Sequence, residues 1–72
     1  MIVEVFKTNV RNKMQAKRIA DLLKTAFSDA RINFDLGDCD KILRVEGING
    51  SNSSVIMADL NKLGFQCEIL DR

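Results

Sequence analysis

The stretch ARINFDLGDCDKILRVE, residues 30–46, decides the fold of this chain. Apolar residues occupy every second position from Ala30 to Leu36, and again at Leu43 and Val45. Alternation with a period of two is typical of a strand that buries one face. The segment between the two runs, residues 36–41, is rich in Gly and Asp, which favour tight turns. The stretch therefore predicts a β-hairpin with one buried face.

A helix and a strand are predicted before the hairpin. Over residues 13–27, apolar residues recur three and four positions apart, which makes one apolar stripe along a helix. The stripe consists of Ala16, Ile19, Ala20, Leu22, Leu23, Ala26 and Phe27. Residues 2–9 are rich in β-forming residues on both faces, which predicts a central strand.

A second helix and a last strand are predicted after the hairpin. Residues 47–52 predict a loop, at the end of which Ser51 or Ser53 can cap a helix. The residues that this helix is expected to bury are Ile56, Leu60 and Leu63. Gly64 stands where a helix commonly ends in left-handed backbone. Residues 65–69 alternate again and predict the final strand.

Strand, helix, hairpin, helix and strand together make the split βαβ arrangement. Right-handed crossovers place strand 1 between strands 3 and 4, so the predicted sheet order is 4-1-3-2. The predicted fold is α+β: a ferredoxin-like βαββαβ sandwich, with a four-stranded antiparallel sheet and two helices on one face. Residues 1–72 form one such domain. Cys39 then lies at the hairpin tip and Cys67 on the opposite edge, too far apart for a disulfide, with Cys67 a small buried hydrophobe.

Composition limits the classes of partner. The chain has 11 basic and 10 acidic residues, whereas a dedicated nucleic-acid binder usually has a strong basic excess. No stretch approaches the roughly 18 apolar residues of a membrane span, and the first residues lack the basic region of a signal peptide. Two cysteines in 72 residues are consistent with a reducing compartment. We expect a cytoplasmic protein that contacts neither nucleic acid nor membrane.

Two local features carry a family resemblance. The second predicted helix ends with a glycine and an aromatic residue, in the series Leu60, Leu63, Gly64 and Phe65. The first predicted helix carries an aliphatic residue at Ile19. With the hairpin and the chain length, they resemble the heavy-metal-associated domains, which are copper-chaperone-like ferredoxin folds. In that family a Gly-Met-Thr-Cys-x-x-Cys loop precedes such an aliphatic residue, which follows the second cysteine by four positions. Counting back from Ile19 places Val10 at the Met, and Asn12 and Gln15 at the two cysteines.

The resemblance implies a metal ion as ligand, but this chain lacks the cysteine pair. Two thiolates hold Cu(I) because soft sulfur ligands suit a soft ion, whereas Asn12 and Gln15 offer only neutral amides. Asn-x-x-Gln is close to a capping box, in which each side chain bonds a free backbone N–H at the start of a helix. We therefore expect Asn12 to cap a helix that begins at Lys13.

Other side chains are candidate metal ligands, each with a structural alternative. The thioether of Met14 can assist Cu(I) binding, and its alternative role is packing. Asp38, Cys39 and Asp40, with Asp35 added, can form a mixed metal site at the hairpin tip. The alternative is that these aspartates serve the turn geometry.

The open face of the sheet is a candidate contact surface. If Glu4 faces solvent, alternation places Ile2 and Phe6 beside it, next to Ile42 on strand 3. The expected charged rim consists of Arg31, Arg44, Glu46 and Glu68. An apolar centre with a charged rim suits a protein partner or a weak homodimer, and the alternative is ordinary scattered surface hydrophobes.

These observations predict a non-catalytic binding module of the heavy-metal-associated type, serving atypical metal binding or protein interaction. The alternative is a small-ligand or anion-binding regulatory domain of the same fold. It would use Arg11 and the helix N-terminus that follows it, where a cation and backbone N–H groups can hold an anion. No nucleophile–base pair, carboxylate dyad or phosphate loop can be assembled from these residues, so no enzyme is expected.

Overall fold

A computed structural model of the chain describes residues 2–37, 39–48 and 52–70. The elements follow in the order β1 (Ile2–Thr8), α1 (Lys13–Ala26), β2 (Arg31–Asp35), β3 (Ile42–Ile48), α2 (Ser53–Lys62) and β4 (Cys67–Ile69). The four strands form one antiparallel sheet in the order β2-β3-β1-β4. This is the predicted order counted from the other edge, and it confirms the α+β, ferredoxin-like fold.

The core forms where both helices meet the sheet. Its buried residues are Phe6, Val10, Ala16, Ile19, Leu23, Ala30, Leu43, Val45, Ile48, Ile56, Leu60 and Cys67. Three residues of the predicted apolar faces are exposed instead: Leu22 (41%), Leu63 (44%) and Ala26, the last residue of α1. Leu22 lies at the border of the α1 stripe, and Leu63 follows the last helical residue of α2, where the helical period no longer applies.

The alternation of β1 is the reverse of the predicted one. Phe6 is fully buried and lies opposite the equally buried Leu43. The prediction that Phe6 lies on the open face is therefore wrong. Since neighbouring residues of a strand face opposite sides, Val3 and Val5 take the open face, while half-buried Glu4 shares the side of Phe6. Apolar residues on both faces of β1 leave this choice to packing, and the largest side chain takes the core.

A β-bulge extends β3 beyond its predicted end. Val3 lies opposite Glu46, but Ile2 lies opposite Ile48, so Gly47 is an extra residue on β3. Gly47 has φ +83°, in the left-handed region that glycine adopts without steric cost. The extra residue reverses the alternation, and Ile48 consequently faces the core. Residues 47 and 48 thus belong to a strand, where a loop was predicted.

The start of α2 also differs from the prediction. Asn52 occupies the N-cap position without a side-chain hydrogen bond, and Ser53 is the first helical residue. The Ser53 hydroxyl is buried and finds no hydrogen-bond partner among the described residues. Ser51, the other predicted cap, lies outside the described residues. Gly64 has φ +90°, which confirms the left-handed position predicted after this helix.

None of the helices that the structure describes is both long and apolar enough to cross a membrane.

Candidate functional site

Three connections meet at one end of the domain. The antiparallel sheet brings together the β1–α1 loop (residues 9–12), the hairpin turn (residues 36–41) and the α2–β4 connection (residues 63–66). We call these connections and the first turn of α1 the loop end. The loop end contains the positions that the family resemblance assigns to metal ligands. It also contains most of the other candidate ligands from the sequence.

Thr8 joins the hairpin turn to the β1–α1 loop. Its backbone N–H donates to the Asp40 carbonyl at 3.1 Å, and its Oγ1 donates to the Lys41 carbonyl at 2.6 Å. The same Oγ1 accepts the Val10 N–H at 3.3 Å. Thr8 is buried, and buried hydrogen bonds of this kind hold the groups they connect in one arrangement. The hairpin turn and the β1–α1 loop are thus one hydrogen-bonded unit.

Asn9 connects the third segment to this unit. Its Oδ1 accepts the Gln66 N–H at 2.8 Å, across 57 residues of sequence. Within the hairpin turn, Lys41 Nζ donates to the Leu36 carbonyl at 3.0 Å. The loop end is therefore fixed by side chains bonded to backbone, although its three segments are irregular.

The predicted capping of α1 by Asn12 is confirmed. Asn12 has extended backbone, and its Oδ1 accepts the Gln15 N–H at 2.9 Å. Gln15 Oε1 in turn accepts the Arg11 N–H at 2.9 Å. The reciprocal bond thus reaches Arg11, one residue earlier than the N-cap N–H of a standard capping box. Both side chains that the resemblance aligns with the family's cysteines thus fix the start of a helix.

The residues at the family's metal position do not fit a soft metal ion. The amide oxygens of Asn12 and Gln15 are already hydrogen-bonded, and neither residue supplies the thiolate that Cu(I) prefers. Val10, at the position of the family's Met, is fully buried.

The hairpin tip forms no metal site among the described residues either. In that part of the chain, no three His, Cys, Asp or Glu residues lie close enough to hold a metal ion. The structure thus does not bring Asp35, Cys39 and Asp40 together as ligands, and Asp38 lies outside the described residues. Asp40 instead approaches Lys7, with its Oδ1 3.8 Å from Lys7 Nζ.

The Arg11 loop, the alternative site for an anion, uses some of its backbone donors within the chain. Arg11 N–H donates to Gln15 Oε1, and Gln15 N–H donates to Asn12 Oδ1. Two of the backbone donors that would face an anion at the start of this helix are therefore occupied. The Arg11 side chain is exposed, so it contributes charge at the surface.

Met14 is the most exposed large apolar side chain among the described residues, at 77%. The alternative that it packs in the core is therefore wrong, because its position in the first turn of α1 faces solvent. That turn contains no acidic residue, and Arg11 and Lys13 are exposed on either side of the cap. The residue type alone does not distinguish an exposed methionine from a core one. The feature of the sequence that indicates exposure is the position of Met14 ahead of the apolar stripe.

A shallow groove continues this surface between α1 and the α2–β4 connection. It has a volume of about 150 Å³ and is lined by Gln15, Arg18, Ile19, Leu63 and Phe65. Leu63 is 44% exposed, and Phe65 is half-buried. The loop end therefore combines exposed apolar side chains with cations.

The open face of the sheet carries a different apolar patch from the predicted one. Of the three predicted residues, Ile42 alternates onto this face and is half-buried, whereas Phe6 is in the core. The side chain of Ile2 is not among those that the structure describes. Val3, 48% exposed, and half-buried Val5 take the places assigned to Ile2 and Phe6.

The two cysteines are free, as the topology predicts. Cys39 is exposed in the hairpin turn, and Cys67 is buried in β4. Burial, and secondarily the charge of Glu68, raises the pKa of the Cys67 thiol from 9.0 to about 12. Cys67 is thus a protonated core residue at neutral pH, unsuited to act as a nucleophile or a thiolate ligand.

Comparison of the chain with protein-family models, curated proteins and solved structures finds no match. What the protein does is therefore inferred from its own residues.

Proposed function

We propose that this chain is a non-catalytic binding module of the heavy-metal-associated type, which acts by protein contact at the loop end instead of by metal transfer. One observation carries the proposal. The side chains of Asn12 and Gln15, which the resemblance aligns with the metal-binding cysteines, fix the start of α1. Between them Met14 extends into solvent, 77% exposed.

The chemistry of the loop end indicates the kind of partner. Methionine is flexible and polarisable, and exposed methionines adapt to varied apolar side chains at binding surfaces. The cations that precede Met14 in the sequence, Arg11 and Lys13, have no ion-pair partner among the described residues. Cations around an apolar centre favour a negatively charged partner and speed its association. The partner we propose is an acidic protein segment that also presents apolar side chains.

The proposed location is the cytoplasm. An exposed, unpaired thiol such as that of Cys39 persists in a reducing compartment, whereas an oxidising one promotes its pairing.

The proposal is tested by titrating the ¹⁵N-labelled protein with a helical peptide built from Glu, Leu and Ala. The backbone amides of residues 11–17 should shift, and a control peptide with Lys in place of Glu should leave them unchanged. Met14→Ala should weaken binding. Val55→Ala is the matched control, because Val55 is 46% exposed but lies on α2.

Titrations with Cu(I) and inorganic phosphate distinguish the other functions. Under the proposal, neither ion should bind stoichiometrically at residues 11–17. Tight Cu(I) binding that persists without Cys39 and Cys67 would overturn the proposal in favour of metal handling. Saturable phosphate binding at Arg11 would support the anion-binding alternative, and peptide binding that Met14→Ala leaves intact would move the contact elsewhere.

A further inference from the structure

β2 is an edge strand, since β3 is its one neighbour in the described sheet. An edge strand presents unpaired backbone N–H and C=O groups, which can pair with another chain. Proteins commonly protect such edges with proline, a bulge or an inward-pointing charge. The chain contains no proline, and β2 pairs with β3 without a register shift, from Arg31–Glu46 to Asp35–Ile42. The free edge of β2 is therefore regular and suitable for pairing.

The sequence of β2 is complementary to itself. It reads Arg31-Ile32-Asn33-Phe34-Asp35, which is basic, apolar, amide, apolar and acidic. When two such strands run antiparallel and are centred on Asn33, Arg31 of each copy lies opposite Asp35 of the other. Ile32 then lies opposite Phe34, and the two Asn33 residues face each other. This register pairs all five residues and keeps each side chain on its own face of the sheet.

The charges of β2 form no ion pair within the described part of one copy. Arg31 and Asp35 are both exposed, and neither belongs to an ion pair there. In the antiparallel register Asp35 gains an oppositely charged residue directly across the strands. Arg31 already lies across from Glu46 on β3 and gains a second acidic residue on its free side. Opposite charges in that position stabilise strand pairing, whereas like charges destabilise it.

The helix side of β2 supplies apolar surface for the same contact. Ile32 and Phe34 are only half-buried, although both pack against the core cluster. Phe34 and Leu36 also line a groove of about 320 Å³ between β2 and α1. The helix side of this groove consists of Ala16 and Ala20 together with Lys13 and Lys17. A second copy placed against the edge would cover part of this apolar surface, which favours association.

We propose that β2 pairs with β2 of a second copy of this chain, antiparallel and centred on Asn33. Two four-stranded sheets then form one continuous sheet of eight strands. A two-fold axis perpendicular to the sheet keeps both helical layers on one face and directs the two loop ends in opposite directions. The contact is small, and small interfaces make weak, reversible complexes. This inference goes beyond the proposed function, since the pairing requires neither the loop end nor its partner.

Charge reversal tests the register in sedimentation equilibrium, up to millimolar concentration and without added peptide. The wild type should dimerise weakly. Arg31→Asp or Asp35→Arg alone sets like charges opposite each other at both ends of the contact, and should weaken dimerisation about tenfold or more. A mixture of the two variants should form a heterodimer at wild-type strength, because acid then faces base at both ends.

Arg44→Asp is the matched control. Arg44 lies on the same face but on β3, one strand in from the edge, so the dimer should survive this change. Circular dichroism establishes that each variant is folded. If the mixture of the two variants dimerises, unfolding is excluded as the reason why each variant alone does not.

Cross-linking tests the two-fold centre independently. In a Cys39→Ser background, Asn33→Cys should form an intermolecular disulfide under mild oxidation, since directly opposed residues of an antiparallel pair lie within disulfide reach. Arg44→Cys should not. A monomer at every concentration, or a dimer unaffected by either single reversal, would overturn the proposal. Loss of the dimer in Arg44→Asp would place the contact on the open sheet face instead. None of these outcomes bears on peptide binding at the loop end.

Discussion

Asn12 and Gln15 are joined by a hydrogen bond of 2.9 Å from the Gln15 backbone N–H to the Asn12 side-chain oxygen. The Gln15 side chain completes the arrangement by accepting the Arg11 N–H, also at 2.9 Å. The first bond satisfies a backbone donor that the helix itself leaves free, and the second satisfies the N–H of the residue before the cap. The two residues that the resemblance aligns with the family's cysteines thus contribute to stability. Their mutation can therefore show whether they serve the fold or bind a ligand.

Asn12→Ala should lower the free energy of unfolding by roughly 0.5–2 kcal/mol, the usual effect of removing an N-cap. Chemical denaturation measures the change. Asn52→Ala is the matched control: Asn52 is the N-cap residue of α2 but makes no side-chain hydrogen bond there, so its loss should cost clearly less. Equal effects of the two substitutions would show that the Asn12 hydrogen bond does not stabilise the domain.

The double substitution Asn12→Cys with Gln15→Cys should create a Cu(I) site. The resemblance to the heavy-metal-associated domains implies that the backbone at these positions already suits two thiolate ligands. The metal-free variant should be less stable than the wild type, because both cap bonds are lost, and Cu(I) should restore its stability. Competition with a Cu(I) chelator measures the affinity. Binding no tighter than that of the wild type would count against the family resemblance.

The sequence was sufficient for features that depend on local pattern. The hairpin follows from the alternation around residues 36–41, the cap from Asn12, and the left-handed position after α2 from Gly64. In each case residues close in sequence determine the geometry.

Features that depend on packing were not predictable in the same way. β1 has apolar residues on both faces, and the choice between Phe6 and Val3 for the core depends on the space beneath the helices. The bulge at Gly47 reverses the alternation of β3, although the strand itself continues to Ile48. The exposure of Met14 depends on where α1 begins relative to the sheet. The candidate contact surface at the loop end was therefore recognisable only in three dimensions.

Phe6→Ser should strongly destabilise the protein. Phe6 is fully buried between β3 and β4, opposite Leu43 and Ile69. Truncating a buried Phe to Ala typically costs about 3–5 kcal/mol, which is a large part of the roughly 5–15 kcal/mol that stabilises a small domain. Val3→Ser is the control on the same strand, because Val3 is 48% exposed, and its effect should be much smaller. A folded Phe6→Ser variant with near-native stability would show that Phe6 lies on the open face of the sheet and not in the core.

The two thiols should differ in reactivity as long as the protein is folded. Cys39 is exposed and Cys67 is buried, and a thiol reacts only when it is accessible as the thiolate. Iodoacetamide at pH 8 should therefore modify one cysteine per folded chain and two after denaturation. Mass spectrometry of proteolytic fragments identifies the modified residue. Rapid native modification at Cys67 would show that β4 opens readily.

The stability of the protein should fall as the pH rises above about 9, in part because of Cys67. Burial raises the pKa of this thiol to about 12 from an ordinary value of 9.0, so the unfolded chain loses the proton at lower pH than the folded one. The contribution of the protonated thiol is therefore complete below pH 9.0 and is lost progressively as the pH rises towards about 12. The informative quantity is the difference between variants, because it isolates the contribution of one thiol. Denaturant unfolding at pH 8 and pH 10.5 should show a smaller decrease for Cys67→Ala than for the wild type, whereas Cys39→Ala should behave like the wild type. Equal slopes for all three proteins would show that the Cys67 thiol ionises equally in the folded and unfolded states.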